Sequence, residues 1–171
     1  MNPSGAHSIV FPANRTMSFF TANIDGGARG NPGPAGWGAV VRNGDGNVIA
    51  ELCGALPHST NNVAEYSGLL AALEWCREHG ATEVHIKSDS LLLVQQMKGI
   101  YKVKNEGLKA LYGKARLLGH GIGRVTFEHV RREFNKDADR LANVADRKIT
   151  PLIASAAALH FRTGKRDRGH G

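Results

Sequence analysis

The spacing of hydrophobic positions changes along this chain, and each change marks an element. Residues 18–25 alternate, with Phe20, Ala22 and Ile24 on one face, and predict a strand. Alternation returns from Trp37 to Arg42 through Trp37, Ala39 and Val41. Asn43-Gly44-Asp45-Gly46 is a hairpin signal, and Val48 to Gly54 follows as a third strand. Pro57 to Asn61 reads as loop. From about 63 to 79 the period becomes helical, with Tyr66, Leu69, Leu70, Leu73 and Cys76 on one face. Asn62 with Glu65 three residues later has capping-box spacing, and Gly80 ends the helix. Glu83 to Lys87 is a short fourth strand. Helices are predicted near 90–98, stopped by Gly99, and near 105–118, stopped by Gly119. Arg124 to Val130 is a fifth strand. A last helix from about Asn135 places Ala138, Leu141, Ala142 and Ala145 on one face.

The order βββαβααβα predicts an α/β fold. Three strands pair by hairpins, and two arrive by helical crossovers, parallel to a neighbour. The expected sheet is five-stranded and mixed, with helices on both faces. Residues 1–16 read as a disordered leader, 17–149 as one domain, and 150–171 as an extension with a basic tail. Its apolar stretch, 151–160, could pack on the body.

Composition narrows the class. Hydrophobic residues make up 42% and charged residues 22%, which excludes global disorder. A net charge of +7 suits a polyanionic partner. No apolar run is long enough to span a membrane, and no secretion signal opens the chain. Cys53 and Cys76 lack metal-ligand spacing. The expectation is a cytoplasmic monomer with free thiols.

The chemistry lies in one stretch and four acids. From Asp25 to Gly38, a strand-end carboxylate is followed by six glycines and two prolines within thirteen residues. Glycine lets backbone approach a ligand closely, and proline fixes the turns. Glu65 falls in the first turn of a helix, Asp89 just past the fourth strand, and Asp139 in the first turn of the last helix. Strand carboxyl ends and helix amino ends share one rim of such a sheet, so the four could converge. Each also has a local role open to it: Glu65, Asp89 and Asp139 at helix starts, and Asp25 in an Asx turn. As a cluster they would repel one another unless a divalent cation joined them. An all-oxygen donor set favours Mg²⁺ or Mn²⁺ over zinc. Two such ions about 3.5–4 Å apart can clamp the attacking and leaving oxygens of a phosphoryl displacement.

These motifs together resemble ribonuclease H type 1. The matching stretches are Asp25 to Gly38, Thr60-Asn61-Asn62-Val63-Ala64-Glu65-Tyr66, Lys87-Ser88-Asp89-Ser90 and Asn135 to Asn143. They stand in family order within residues 18 to about 147. The resemblance implies a ribonuclease H-like fold and a Mg²⁺-dependent endonuclease that cuts the RNA strand of RNA/DNA hybrids. It implies that Asp25 bridges two ions. Asp139 would complete the site of the water-activating ion, and Glu65 and Asp89 would hold the other. The implied products are a 5′-phosphate and a 3′-hydroxyl. Gly26, Gly27 and Ala28, with Asn31 nearby, correspond to ribose-contacting positions. Asn61 and Asn62 correspond to minor-groove readers, and Thr60 to a DNA-phosphate contact.

The chain departs from the family in three places. Leu91 stands where many members have glutamine. Arg132 stands seven residues before Asp139, where many carry a mobile histidine. Arginine cannot act as a base near neutral pH, so its role is to position the product phosphate or to pair with Glu133 or Asp137. His129, inside the fifth strand, reads as structural. A basic, tryptophan-bearing protrusion is missing. Between 98 and 116, Lys98, Lys102, Lys104, Lys109, Lys114 and Arg116 oppose only Glu106. Lys102 and Lys104 are the candidates for gripping the DNA backbone, with ordinary solvated surface as the other reading. Two other functions stay open at this point: a non-catalytic nucleic-acid-binding module, and a related two-metal nuclease on another substrate.

Overall fold

The computed structural model describes residues 17–147. The leader and the whole extension, including the 151–160 stretch, lie outside the described residues. The elements are β1 (Phe19–Ala28), β2 (Gly33–Arg42), β3 (Val48–Ser59), α1 (Asn61–Glu78), β4 (Glu83–Ser88), α2 (Leu91–Met97), α3 (Glu106–Ile122), β5 (Arg124–His129), a 3₁₀ turn (Arg132–Phe134) and α4 (Lys136–Arg147). The sheet runs β3-β2-β1-β4-β5. Its first three strands are antiparallel, and β1–β4 and β4–β5 are parallel. The predicted mixed five-stranded sheet is therefore the observed one.

The first helix α1 packs on β1 and β2, with α3 against it, and α4 packs on β1, β2 and β3. The core lies between the sheet and α1, where Ala22, Ile24, Val84 and Ile86 meet Tyr66, Leu69, Leu73 and Cys76. A buried hydrogen bond from the Tyr66 hydroxyl to Gln96 Oε1 (2.8 Å) ties α1 to α2. Ala138, Leu141, Ala142 and Ala145 are all buried, as the helical pattern predicts. Cys53 and Cys76 are both free thiols.

Four boundaries differ from the sequence expectation. The glycine-rich stretch is mostly strand. Three residues after Asp25 still belong to β1, β2 starts at Gly33, and the turn is confined to 29–32. Ladder pairing holds the glycines extended here, and α1 and α4 lie directly on Gly26 and Gly38. The third strand likewise runs on to Ser59 through Pro57, which an edge strand with a bulge tolerates. Thr60, not Asn62, caps α1: its Oγ1 accepts from the Val63 amide at 3.2 Å. Finally, α3 continues past Gly119 to Ile122 and ends at Gly123 with φ +127°.

Candidate active site

Asp25 sits within β1, paired across the ladder with Gly38 of β2. Two glycines let helices close on it. A Cβ on Gly26 would overlap the Ala64 backbone of α1. A Cβ on Gly38 would stand 2.6 Å from the Ala138 carbonyl oxygen and 2.8 Å from the Ala142 nitrogen of α4. Both helices therefore rest on bare strand backbone, α4 also through the Leu141 Cβ, and they bring Glu65 and Asp139 in with them.

The end of β4 opens the third side. Its pairing with β1 stops at Ile24 and Ser88. Beyond that point the next outward amide of β1, Gly26 N–H, donates to Glu65 Oε1 at 2.9 Å instead of to a strand. Glu65 thus serves β1 rather than the cap of its own helix. Asp89 follows directly, and Ser90 caps α2 through the Leu93 amide.

The result is a tight acidic cluster. Carboxylate oxygens of Asp25, Glu65 and Asp89 lie within 4.8 Å of one another. Asp25 is 8% and Glu65 7% exposed. Burial, with the charges of Asp89, Glu65 and Asp139 and a hydrogen bond with Asp139, raises the Asp25 pKa from 3.8 to about 9. Burial and Asp89 raise Glu65 from 4.5 to about 7, against hydrogen bonds from Ser90, Asp25 and the Gly26 amide. A hard divalent cation fits such a donor set: all oxygen, already desolvated, and short of positive charge. Asp139 stands beside Asp25 but outside the mutual three-way grouping. All four acids line one open cleft of about 700 Å³.

The other candidate residues divide. Gly26, Gly27, Ala28, Asn61 and Asn62 line the cleft, and so does Arg132. The Ala28 amide donates to Asn61 Oδ1 at 2.7 Å, and the Asn61 amide donates to Asn31 Oδ1 at 2.9 Å. Asn31 thus clamps the hairpin tip to the start of α1, and neither it nor Thr60 lines the cleft. Arg132 pairs with neither Glu133 nor Asp137. Its Nε faces Asp89 Oδ2 at 3.9 Å, and Asp137 pairs with Arg42 at 3.1 Å. The exposed Lys102 and Lys104 lie outside the cleft, between α2 and α3. His129 Nε2 lies 3.3 Å from the Asp89 carbonyl oxygen.

Sequence reasoning missed three residues here. Asn143 lines the cleft, and its position four residues after Asp139, on the same helix face, was a usable signal. Ser90 supports Glu65, and Arg29 lines the mouth. Neither carries a pattern that separates it from cap or turn chemistry.

A reverse transcriptase-like family profile matches residues 23–145. A ribonuclease HI of Halobacterium salinarum is 36% identical over 146 residues, which cover 84% of this chain and 71% of that protein. The chain belongs to the ribonuclease HI family. A bifunctional protein of Mycobacterium tuberculosis is 51% identical over 135 residues, covering 78% of this chain. The chain spans only 36% of that relative's length. Among solved structures, the N-terminal RNase H domain of a Mycobacterium tuberculosis protein, determined as a fusion with maltose-binding protein, superposes with a TM-score of 0.74 at 45% identity. The match covers 84% of this chain and 98% of that one. LC11-RNase H1 in complex with an RNA/DNA hybrid superposes with a TM-score of 0.72 at 41% identity, over 75% of this chain and 97% of that one. Leu91 opens α2 exposed, and the connection between α2 and α3 forms no helix of its own.

Proposed function

We propose that this chain is an endonuclease that hydrolyses the RNA strand of RNA/DNA hybrids with two divalent ions, Mg²⁺ or Mn²⁺, leaving 5′-phosphate and 3′-hydroxyl ends. The carrying observation is the buried cluster of Asp25, Glu65 and Asp89 with mutually close oxygens. Asp25 would bridge the ions, Asp139 would complete the water-side position, and Glu65 and Asp89 would hold the leaving side. When bound, the ions polarise the scissile phosphate and lower the pKa of the attacking water. Asp25 and Glu65, whose pKa values burial raises, would release their protons to solvent as the ions bind.

Strand choice falls to the surface around the hairpin. The amides of Gly26 and Ala28 already donate to Glu65 and Asn61, so their carbonyls are what they can offer a ribose 2′-hydroxyl. Asn61 accepts through Oδ1, which leaves its Nδ2 to donate to minor-groove acceptors. Asn62 is exposed and released from capping by Thr60. The Thr60 hydroxyl accepts from Val63 and keeps its proton for a DNA phosphate. Arg132, 85% exposed at the cleft, would hold a phosphate rather than move a proton. Lys102 and Lys104 would grip the DNA backbone. The reading is of a cytoplasmic monomer. No helix among the described residues is long and apolar enough to cross a membrane.

The test is incubation with labelled RNA/DNA hybrid, duplex DNA and duplex RNA, with Mg²⁺ or with EDTA. Cutting of the hybrid alone, and only with metal, is expected. Cutting that survives EDTA would remove the metal mechanism, and equal cutting of duplex DNA would remove the strand selectivity.

A further inference from the structure

Asn135 is 1% exposed, and both ends of its amide are used on β1. Its Nδ2 donates to the Ile24 carbonyl at 2.9 Å, and its Oδ1 accepts from Asn23 Nδ2 at 2.9 Å. A carbonyl can only accept, so the Ile24 bond fixes which end of the Asn135 amide faces which way. Asn23 and Ile24 are the two residues that precede Asp25.

The Asn135 backbone serves the opposite partner. Its carbonyl accepts the Asp139 amide at 3.1 Å, which starts α4, and its own amide donates to Arg132 of the 3₁₀ turn at 2.9 Å. An outer pair extends the link. Arg42 Nη1 donates to Asn23 Oδ1 at 3.4 Å, and Nη2 meets Asp137 Oδ2 at 3.1 Å. One buried residue therefore joins the strand of Asp25, through its side chain, to the helical turn of Asp139 and the turn of Arg132, through its backbone.

We propose that Asn135 is a positioning residue that holds Asp139 against Asp25 and thereby sets the divalent-ion affinity of the cluster. The inference rests on reading that cluster as a metal-dependent nuclease site. An apolar side chain of similar size would also glue α4 to the sheet, but it would leave the helix free to slide. Hydrogen bonds to two successive strand residues fix the helix in both directions. Ligand oxygens must be held to within about 0.5 Å, which dispersion alone does not enforce.

The experiment compares the full chain with Asn135→Ala, Asn23→Ala and Arg42→Ala. Each folded variant, checked by its melting curve, is titrated with Mn²⁺ by calorimetry without substrate, then assayed on hybrid across Mg²⁺ concentrations. Asn135→Ala is expected to weaken Mn²⁺ binding by about tenfold or more, with a similar fall in kcat. KM for the hybrid should stay within about threefold, because the groups that face the duplex are untouched. Asn23→Ala, which keeps the Ile24 bond, should show a smaller shift in the same direction, and Arg42→Ala the smallest. A folded Asn135→Ala variant with the wild-type isotherm overturns the inference, however far its melting temperature falls. If Asn135→Ala does not fold, an unchanged isotherm for Asn23→Ala overturns it equally. Failure of the wild type to cut hybrid, with Mn²⁺ still bound, would fell the nuclease reading and leave this inference to be decided by the isotherms.

Discussion

The acid cluster and the basic stretch from Lys98 to Arg116 are built in opposite ways. The four acids come from β1, α1, the junction between β4 and α2, and α4, and two of them, Asp25 and Glu65, are under a tenth exposed. Strand and helix backbones touch there directly. All six bases of the other stretch are exposed, and the residues between Lys98 and Asn105 form no regular element. Within it, Lys109 pairs with Glu106 at 3.0 Å and Arg116 donates to the Tyr112 hydroxyl at 2.9 Å, each about one helical turn away. Attraction between a cation and a phosphate chain falls off over a Debye length, about 8 Å at physiological salt, and tolerates slack. Ligation of an ion does not. The molecule places its rigidity where the chemistry needs it.

The largest expected effect is at the centre of the rigid side. Asp25→Asn should abolish turnover in a hybrid-cleavage assay while a gel-shift assay shows binding retained. Residual activity near wild type would mean that another acid holds the bridging place. Next comes Gly38→Ala. The new methyl group has to push α4 away from β2, at an overpacking cost of about 1–3 kcal/mol in chemical denaturation. The displaced Asp139 should cost about 10²-fold in kcat. Gly113→Ala is the control, since a Cβ there meets nothing within 4 Å. It should leave kcat alone and raise stability by about 0.5–1 kcal/mol.

A pH series sharpens the contrast further. Between the unfolded Asp25 value of 3.8 and the folded value of about 9, the folded chain keeps a proton that the unfolded chain has released. Glu65 adds the same effect between 4.5 and about 7. Proton binding favours the folded state, so the metal-free melting temperature should fall as pH rises through that window. Mg²⁺ replaces the lost protons, so the stabilisation it gives should grow with pH. A stabilisation independent of pH would place the ion elsewhere. The smallest effect belongs to the basic stretch. Replacing Lys102 and Lys104 by alanine should flatten the log–log salt dependence of hybrid binding by about 1.8, or 0.9 for each lost contact. An unchanged slope would make them bystanders.

Most of the architecture was legible because the hydrophobic period reports burial directly. The alternation of Phe20, Ala22 and Ile24 and the helical face of Tyr66, Leu69 and Leu73 both describe the core as found. The errors at the strand ends share a cause. Gly26, Gly33, Gly36 and Pro57 are poor strand formers, so the ends of β1 and β3 and the start of β2 were read as loop. Ladder pairing between the three strands, with α1 lying on Gly26, overrides that propensity, and no local pattern records it. The four acids were visible as edge residues. Their distances depend on Gly26 and Gly38, whose importance appears only once helices are seen resting on them. Asn135 was quoted in a motif, but its bonds cross 111 and 112 residues of sequence, beyond the reach of any local pattern.

The bare contact at Gly38 has a consequence for how this chain can change over time. Elsewhere, an exchange such as Ile for Val or Leu for Met moves a helix by tenths of an ångström, because the spacing is set by whatever side chains fill it. At Gly38 the spacer is polypeptide backbone and one Cβ, that of Leu141, which every residue but glycine carries, and such a spacer has the same thickness in every protein. The interior can therefore drift through many fillings while the gap between β2 and the first turns of α4 stays the same. The oil of the core and the geometry of the acids are, in this fold, separate inheritances.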